Sequence, residues 1–204
     1  MKIVAATNNK HKVSELSALF GTMQDVELVT LREIGFTDEI IEDGDTFLAN
    51  ARIKAMAVHN ATGLAAIADD SGLCVDALGG EPGIYSARYA STNGENSDDK
   101  ANNQKLLSGL SEVPENERTA RFVSALCFID EDGTEVSAVG KCEGIITREE
   151  RGEGGFGYDP LFFFPAFGKT FGELSAEEKN KVSHRANAVK ILGEKLSAYF
   201  SEKK

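Results

Sequence analysis

Between Lys2 and Ala68 the chain alternates short apolar runs with stretches of helical periodicity, and that alternation restricts it to an α/β fold. Lys2 to Thr7 reads as a strand. A polar loop, TNNKHK, follows, and then Val13, Leu16, Leu19 and Phe20 recur at helical spacing before Gly21 supplies a stop. A second strand covers Val26 to Thr30, and the mixed acidic stretch up to Gly44 reads as a loop. Asp45 or Thr46 can cap a helix that presents Phe47, Ala51, Ala55 and Val58 on one face and ends near Gly63. Leu64 to Ala68 is continuously apolar, as a buried strand is, and it ends in Asp69-Asp70-Ser71-Gly72.

The second half is less regular. Gly79 to Asn96 is rich in loop residues, and Asp98 caps a helix that reaches Leu107. Thr119 to Asp130 and Thr134 to Cys142 flank Glu131-Asp132-Gly133, which predicts a β-hairpin that extends the sheet as a second lobe. Ser175-Ala176-Glu177-Glu178 fits a capping box. A last helix, from about Ser183, places Val189, Leu192, Leu196 and Phe200 on one face. No repeat and no Pro- or Ser-rich linker interrupts the 204 residues, so one domain of two lobes, 1–204, is expected.

Charge narrows the function. A net charge of -11 argues against a general nucleic-acid or membrane-surface binder, and a phosphorylated ligand would need a local basic pocket. No apolar run approaches the ~20 residues of a membrane span, and the amino terminus lacks a secretory apolar stretch, which predicts a soluble, cytoplasmic protein. Cys74, Cys127 and Cys142 have no zinc spacing and read as buried free thiols of a reducing compartment.

Four segments can carry chemistry. Thr7, Asn8, Asn9, Lys10, His11 and Lys12 lie between a strand and a helix start, where N–H groups and lysines suit a phosphate; an ordinary polar connection looks the same from position alone. Asp69 and Asp70 offer hard oxygen ligands for Mg²⁺ and a base for an attacking water if the Ser-Gly turn brings both to one cleft. The alternative is a plain Asp-Ser-Gly turn, and Glu42 is a further acid in the stretch Glu39 to Asp45. Gly152 to Gly157 formally satisfies GxGxxG but opens no helix, so it is no dinucleotide fingerprint. Phe156 and Tyr158 can stack on a base while Asp159 accepts from its N–H groups, or the aromatics can simply tuck into a core. Lys179, His184 and Arg185 gather near the start of the last helix, against the dipole preference there, and read as an anion or base contact or as a solvated basic end.

In order along the chain, Thr7-x-Asn9-x-x-Lys12, Glu42-x-Gly44-x-Thr46-Phe47-x-x-Asn50-Ala51 and Ala68-Asp69-Asp70-Ser71-Gly72-Leu73 form the first three blocks of a recognisable set. Leu78-Gly79-Gly80-x-Pro82-Gly83-Ile84-Tyr85-Ser86-Ala87-Arg88-Tyr89, Gly155 to Pro160 and Ser183-His184-Arg185 complete it. Over nearly its whole length the sequence resembles the inosine/xanthosine triphosphate pyrophosphatases, the RdgB/HAM1 family. The resemblance implies an elongated mixed β-sheet flanked by helices, two lobes around a central cleft, and a homodimer. It implies hydrolysis of ITP, dITP and XTP between the α- and β-phosphates. Carried over, the Thr7 to Lys12 loop and Ser71 hold the phosphates, Asp70 accepts the proton of the attacking water, and Glu42, Asp69 and Asp70 bind Mg²⁺. Phe156, Gly157, Tyr158, Asp159, Lys179, His184 and Arg185 surround the base and its sugar-phosphate. A nucleotide-binding regulator without catalysis is the competing reading, although it has little need of the three acids.

Overall fold

The computed structural model describes residues 1–21 and 26–203, with the side chains of Lys10, His11 and Glu15 outside the description. The strands are β1 (Lys2–Ala5), β2 (Glu27–Thr30), β3 (Ala65–Val75), β4 (Thr119–Ile129), β5 (Glu135–Ile146), β6 (Phe162–Phe164) and β7 (Lys169–Thr170). The helices are α1 (Lys10–Phe20), α2 (Phe47–Thr62), α3 (Asp99–Gly109), α4 (Ala176–Val182) and α5 (His184–Glu202). The strands make one mixed sheet in the order β2-β1-β3-β4-β5-β6-β7. β1 runs parallel to both β2 and β3, while β6 runs antiparallel to β5 and to β7.

Two compact units are built on these elements. The first comprises Met1–Asp70, Ser124–Gly140 and Asn187–Lys204. Its strands are apolar on both faces, so helices must cover both. Ile3, Ala5, Ala65, Ile67, Leu126 and Phe128 point to one side, against Leu16 and Phe20 of α1 and Ala188, Leu192 and Leu196 of α5. Val4, Ala66, Ala68, Cys127 and Ile129 point to the other, against Ala51, Ala55 and Val58 of α2. Thr46 caps α2 by accepting from the Ala49 N–H at 3.1 Å, and left-handed Gly63 ends it.

The second unit comprises Ser71–Val123 and Lys141–Ala186. Its core packs Leu73, Leu106, Leu110, Phe122, Phe162 and Phe171. Arg118 is fully buried there, donating to the carbonyls of Leu110 at 2.6 Å, Ile146 at 2.8 Å and Thr147 at 2.8 Å. The expected caps of α3 and α4 are present at Asp98 and Ser175.

Three local expectations are corrected. α1 starts at Lys10, so Lys10, His11 and Lys12 belong to its first turn rather than to a loop. The third strand does not stop at Ala68; β3 continues through Asp69-Asp70-Ser71-Gly72 to Val75, because the apolar alternation resumes at Leu73 and Val75. The hairpin is present, closed by Gly133 N–H to Asp130 O at 2.9 Å, but it is not a lobe of its own. Ser124–Gly140 of it belongs to the first unit and the rest to the second.

Candidate active site

The continuation of β3 decides where its two acids go. Consecutive strand residues face opposite sides of a sheet. Asp69 and Asp70 lie just past the last pairing of β1 with β3, Ala5 with Ile67, where β1 no longer covers the strand. Asp69 therefore joins the side of α1 and Asp70 the side of α2.

On the α1 side, Lys12 forms an ion pair with the Asp69 carboxylate and also donates to the Asp69 carbonyl at 3.3 Å. The Ser124 hydroxyl donates to the same carboxylate at 2.7 Å, and Asp69 is only 1% exposed. Lys12 is placed by its helix: Asn9 accepts from the Lys12 N–H at 3.3 Å, and Thr7 Oγ1 accepts from the Asn9 N–H at 3.2 Å. Asn8 is exposed beside them. The expected cradle residues Lys10 and His11 lie, as side chains, outside the described residues.

On the α2 side, Lys54 donates to Glu42 at 2.7 Å and to Asp70 at 3.3 Å. Asn50, one turn before it and almost fully buried, donates to the other Asp70 oxygen at 3.3 Å. The Asn50 carbonyl oxygen in turn accepts from the Gly44 N–H at 2.8 Å. A Cβ at Gly44 would stand 2.7 Å from that oxygen, so only glycine lets the Glu42 segment cross this close to α2. Asn50 and Lys54 thus tie both acids to one helix face. Burial pushes the Asp70 carboxyl up from its ordinary value; Lys54 and, more weakly, Lys12 pull it back, and Glu42 adds to the rise. Lys12 is accordingly within electrostatic reach of Asp70 although its partner is Asp69.

Asn50, Lys54 and Ser124 were not among the expected site residues. Asn50 was readable: it falls on the same helical stripe as Phe47, Ala51 and Val58, where a polar residue must find a partner. Lys54 follows it by four positions. Ser124 has no such signal, because its partner is 55 residues away in sequence.

In the second unit, Ser71 accepts from Arg185 Nη2 at 3.1 Å. Arg185 and His184 are each 6% exposed, so the pair is not a solvated basic end, and the His184 ring stacks on Phe122 with centroids 4.8 Å apart. Asp159 is buried, pairs with Lys179 and accepts from the Phe156 N–H at 2.8 Å. Lys179 stands 4.5 Å over the Phe156 ring, which is half exposed. The two aromatics of this loop part company. Tyr158 takes the second of its two readings, the core: its ring is buried and its hydroxyl donates to Ser86 O at 2.8 Å, which uses its polar end inside. Burial holds its phenol well above the ordinary range.

A mixed-sheet α/β protein with lysines and carboxylates gathered where its parallel strands run out has the make-up of a protein that handles small polyanions. The chain belongs to the Ham1 family, whose model matches residues 3–195. It is 52% identical over 201 residues to the dITP/XTP pyrophosphatase of Desulforamulus reducens, covering 98% of each chain. Among solved structures it is similar to the Ham1 protein of Staphylococcus aureus, with 39% identity, a TM-score of 0.88 and full coverage of both chains. A HAM1 protein from Coxiella burnetii is similar as well, at 38% identity and a TM-score of 0.89, with 97% of this chain and 99% of that one covered.

Proposed function

We propose that the protein hydrolyses the deaminated purine nucleotides ITP, dITP and XTP to the nucleoside monophosphate and pyrophosphate, removing them from the nucleotide pool. The observation that carries the chemistry is the Asp70 carboxylate, partly buried, oriented by Asn50 and shared through Lys54 with Glu42. A carboxylate with raised proton affinity suits a base that takes a proton from the water attacking the α-phosphorus. Lys12 faces the leaving pyrophosphate. Of its three N–H donors, two are taken by Asp69, so Asp69 and Ser124 aim the ammonium and leave one donor for a phosphate oxygen. Thr7, Asn8, Asn9, Lys10, His11 and Ser71 complete the phosphate contacts.

Mg²⁺ fits the donors present. Among the described residues no three acids, histidines or cysteines converge, but Mg²⁺ is commonly held by one or two carboxylates together with substrate phosphates and water. Glu42 and Asp70 are those two carboxylates; Asp69, engaged by Lys12 and Ser124, is left as an orienting group. When bound, the ion offsets charge on the phosphates. In the second unit Phe156 with Lys179 stacks on the base, Asp159 holds that pair in place, and His184 or Arg185 donates to O6 of a 6-oxopurine. The two units act as one ITPase-like domain over 1–204, as a homodimer in the cytoplasm; no helix among the described residues is long and apolar enough to cross a membrane.

A nucleotide panel with pyrophosphate detection tests the reading. Pyrophosphate release from ITP, dITP and XTP that requires Mg²⁺, with far slower action on ATP and GTP, is expected. Release of orthophosphate alone, or a preference for ATP, contradicts it.

A further inference from the structure

We propose that α3, which supplies none of the residues assigned to substrate above, positions the base-stacking loop through a two-point clamp on Gly157. The Gly157 N–H donates to Asp99 Oδ2 at 2.7 Å, and the Gly157 carbonyl accepts from Asn103 Nδ2 at 3.2 Å. Asp99 and Asn103 are four residues apart, so their side chains stand one above the other on a single helix face. One helix thereby grips both polar groups of one residue's backbone. The second Asn103 amide proton goes to Glu150 Oε1 at 2.8 Å, which ties the chain entering the loop to the same helix.

The clamp bears on Phe156 because of what holds the neighbouring peptide. The Phe156 N–H donates to Asp159 and the Gly157 N–H to Asp99, so the two successive peptides that carry Phe156 are each anchored to a carboxylate. The anchors come from different places, Asp159 from within the loop and Asp99 from α3. With both peptide planes set, the half-exposed ring of Phe156 is held under Lys179. Asn103 is 3% exposed, with both amide donors on acceptors. Its orientation is unambiguous, since turning the amide over would set an oxygen against the Gly157 carbonyl and the Glu150 carboxylate. Asp99 and Asn103 are therefore positioning residues for base recognition. This inference rests on the base-stacking role given to Phe156.

Asn103→Asp keeps the shape and replaces the donor by an acceptor, and Asp99→Ala removes the other anchor, whereas Asp99→Asn keeps an oxygen that can accept. The expected result is a KM for ITP raised about tenfold in Asn103→Asp (~1.4 kcal/mol) and about threefold in Asp99→Ala, with kcat within about twofold and near-wild-type KM in Asp99→Asn. Inhibition by inorganic tripolyphosphate, which has no base, should stay unchanged in all three. A folded Asn103→Asp with wild-type KM, or tripolyphosphate inhibition that weakens in step with KM, overturns the clamp. Amide exchange at Gly157 in the ligand-free protein separates this from the proposed function. Were the wild type inert towards ITP, that function would fail, and the clamp would then stand on faster Gly157 exchange in Asp99→Ala and fall if protection were unchanged.

Discussion

Adding one methyl group at Gly155 tests how tightly the base loop is built. Gly155 has φ of +77°, and a Cβ there would lie 2.2 Å from Asp159 Oδ2 and 2.8 Å from the Asp159 Cβ and Cγ. A left-handed alanine costs roughly 1 kcal/mol by itself. Relieving the contact requires the carboxylate to retreat by about 1 Å, because carbon and oxygen pack at roughly 3.4 Å or more. The 2.8 Å bond from the Phe156 N–H then passes out of hydrogen-bonding range, and the Lys179 pair is stretched with it. Losing one hydrogen bond to a buried charge adds about 1.5–3 kcal/mol. The sum for Gly155→Ala is about 2.5–4 kcal/mol, or a fall in Tm of roughly 10 °C for a chain of this size. Calorimetry measures the first effect, and the KM for ITP, which should rise as the Phe156–Lys179 stack loosens, measures the second. Asp159→Asn in the alanine background should add little further loss, since the lost contacts are the same ones. A Gly155→Ala protein with unchanged Tm and unchanged KM would refute the reasoning.

Further outcomes follow from other buried groups. Asp70→Asn should abolish turnover and yet stabilise the protein at neutral pH. The folded-state pKa of Asp70 is raised, chiefly by burial, so its contribution favours the fold below the ordinary carboxylate range and is lost as pH rises through the folded value. Urea unfolding across pH checks this: the gain should vanish towards acid, and a variant less stable at pH 7 would contradict it. Arg118→Met leaves three carbonyl acceptors without their donor and should cost about 3–5 kcal/mol, at ~1–3 kcal/mol for each acceptor left unpaired, also read by urea unfolding; a loss under about 1 kcal/mol would mean the carbonyls find other partners. Lys12→Met should lose both turnover and roughly 3 kcal/mol of stability by stranding the Asp69 carboxylate. Adding Asp69→Asn should restore stability without turnover, and recovery of both would remove Lys12 from the chemistry.

Most elements of the first half, the hairpin and the last helix were legible in the sequence, since periodicity, caps and stops are local properties, whereas the start of α1, the reach of β3 and the short β7 were not. Thr46 and Gly63 bound α2 as their residue types demand, and the apolar runs of β1 and β3 required helices on both faces. The adjacent acids and the cationic helix start were visible as well. What each side chain does was decided only in three dimensions, because pairing depends on residues far apart in the chain. The continuation of β3 to Val75 sends Asp69 to Lys12 and Ser124 and Asp70 to Asn50 and Lys54, a division that two neighbouring letters do not express. Burial likewise separates Phe156 from Tyr158 and takes His184 and Arg185 out of solvent, for a core claims whichever ring or cation its packing and hydrogen bonds can satisfy.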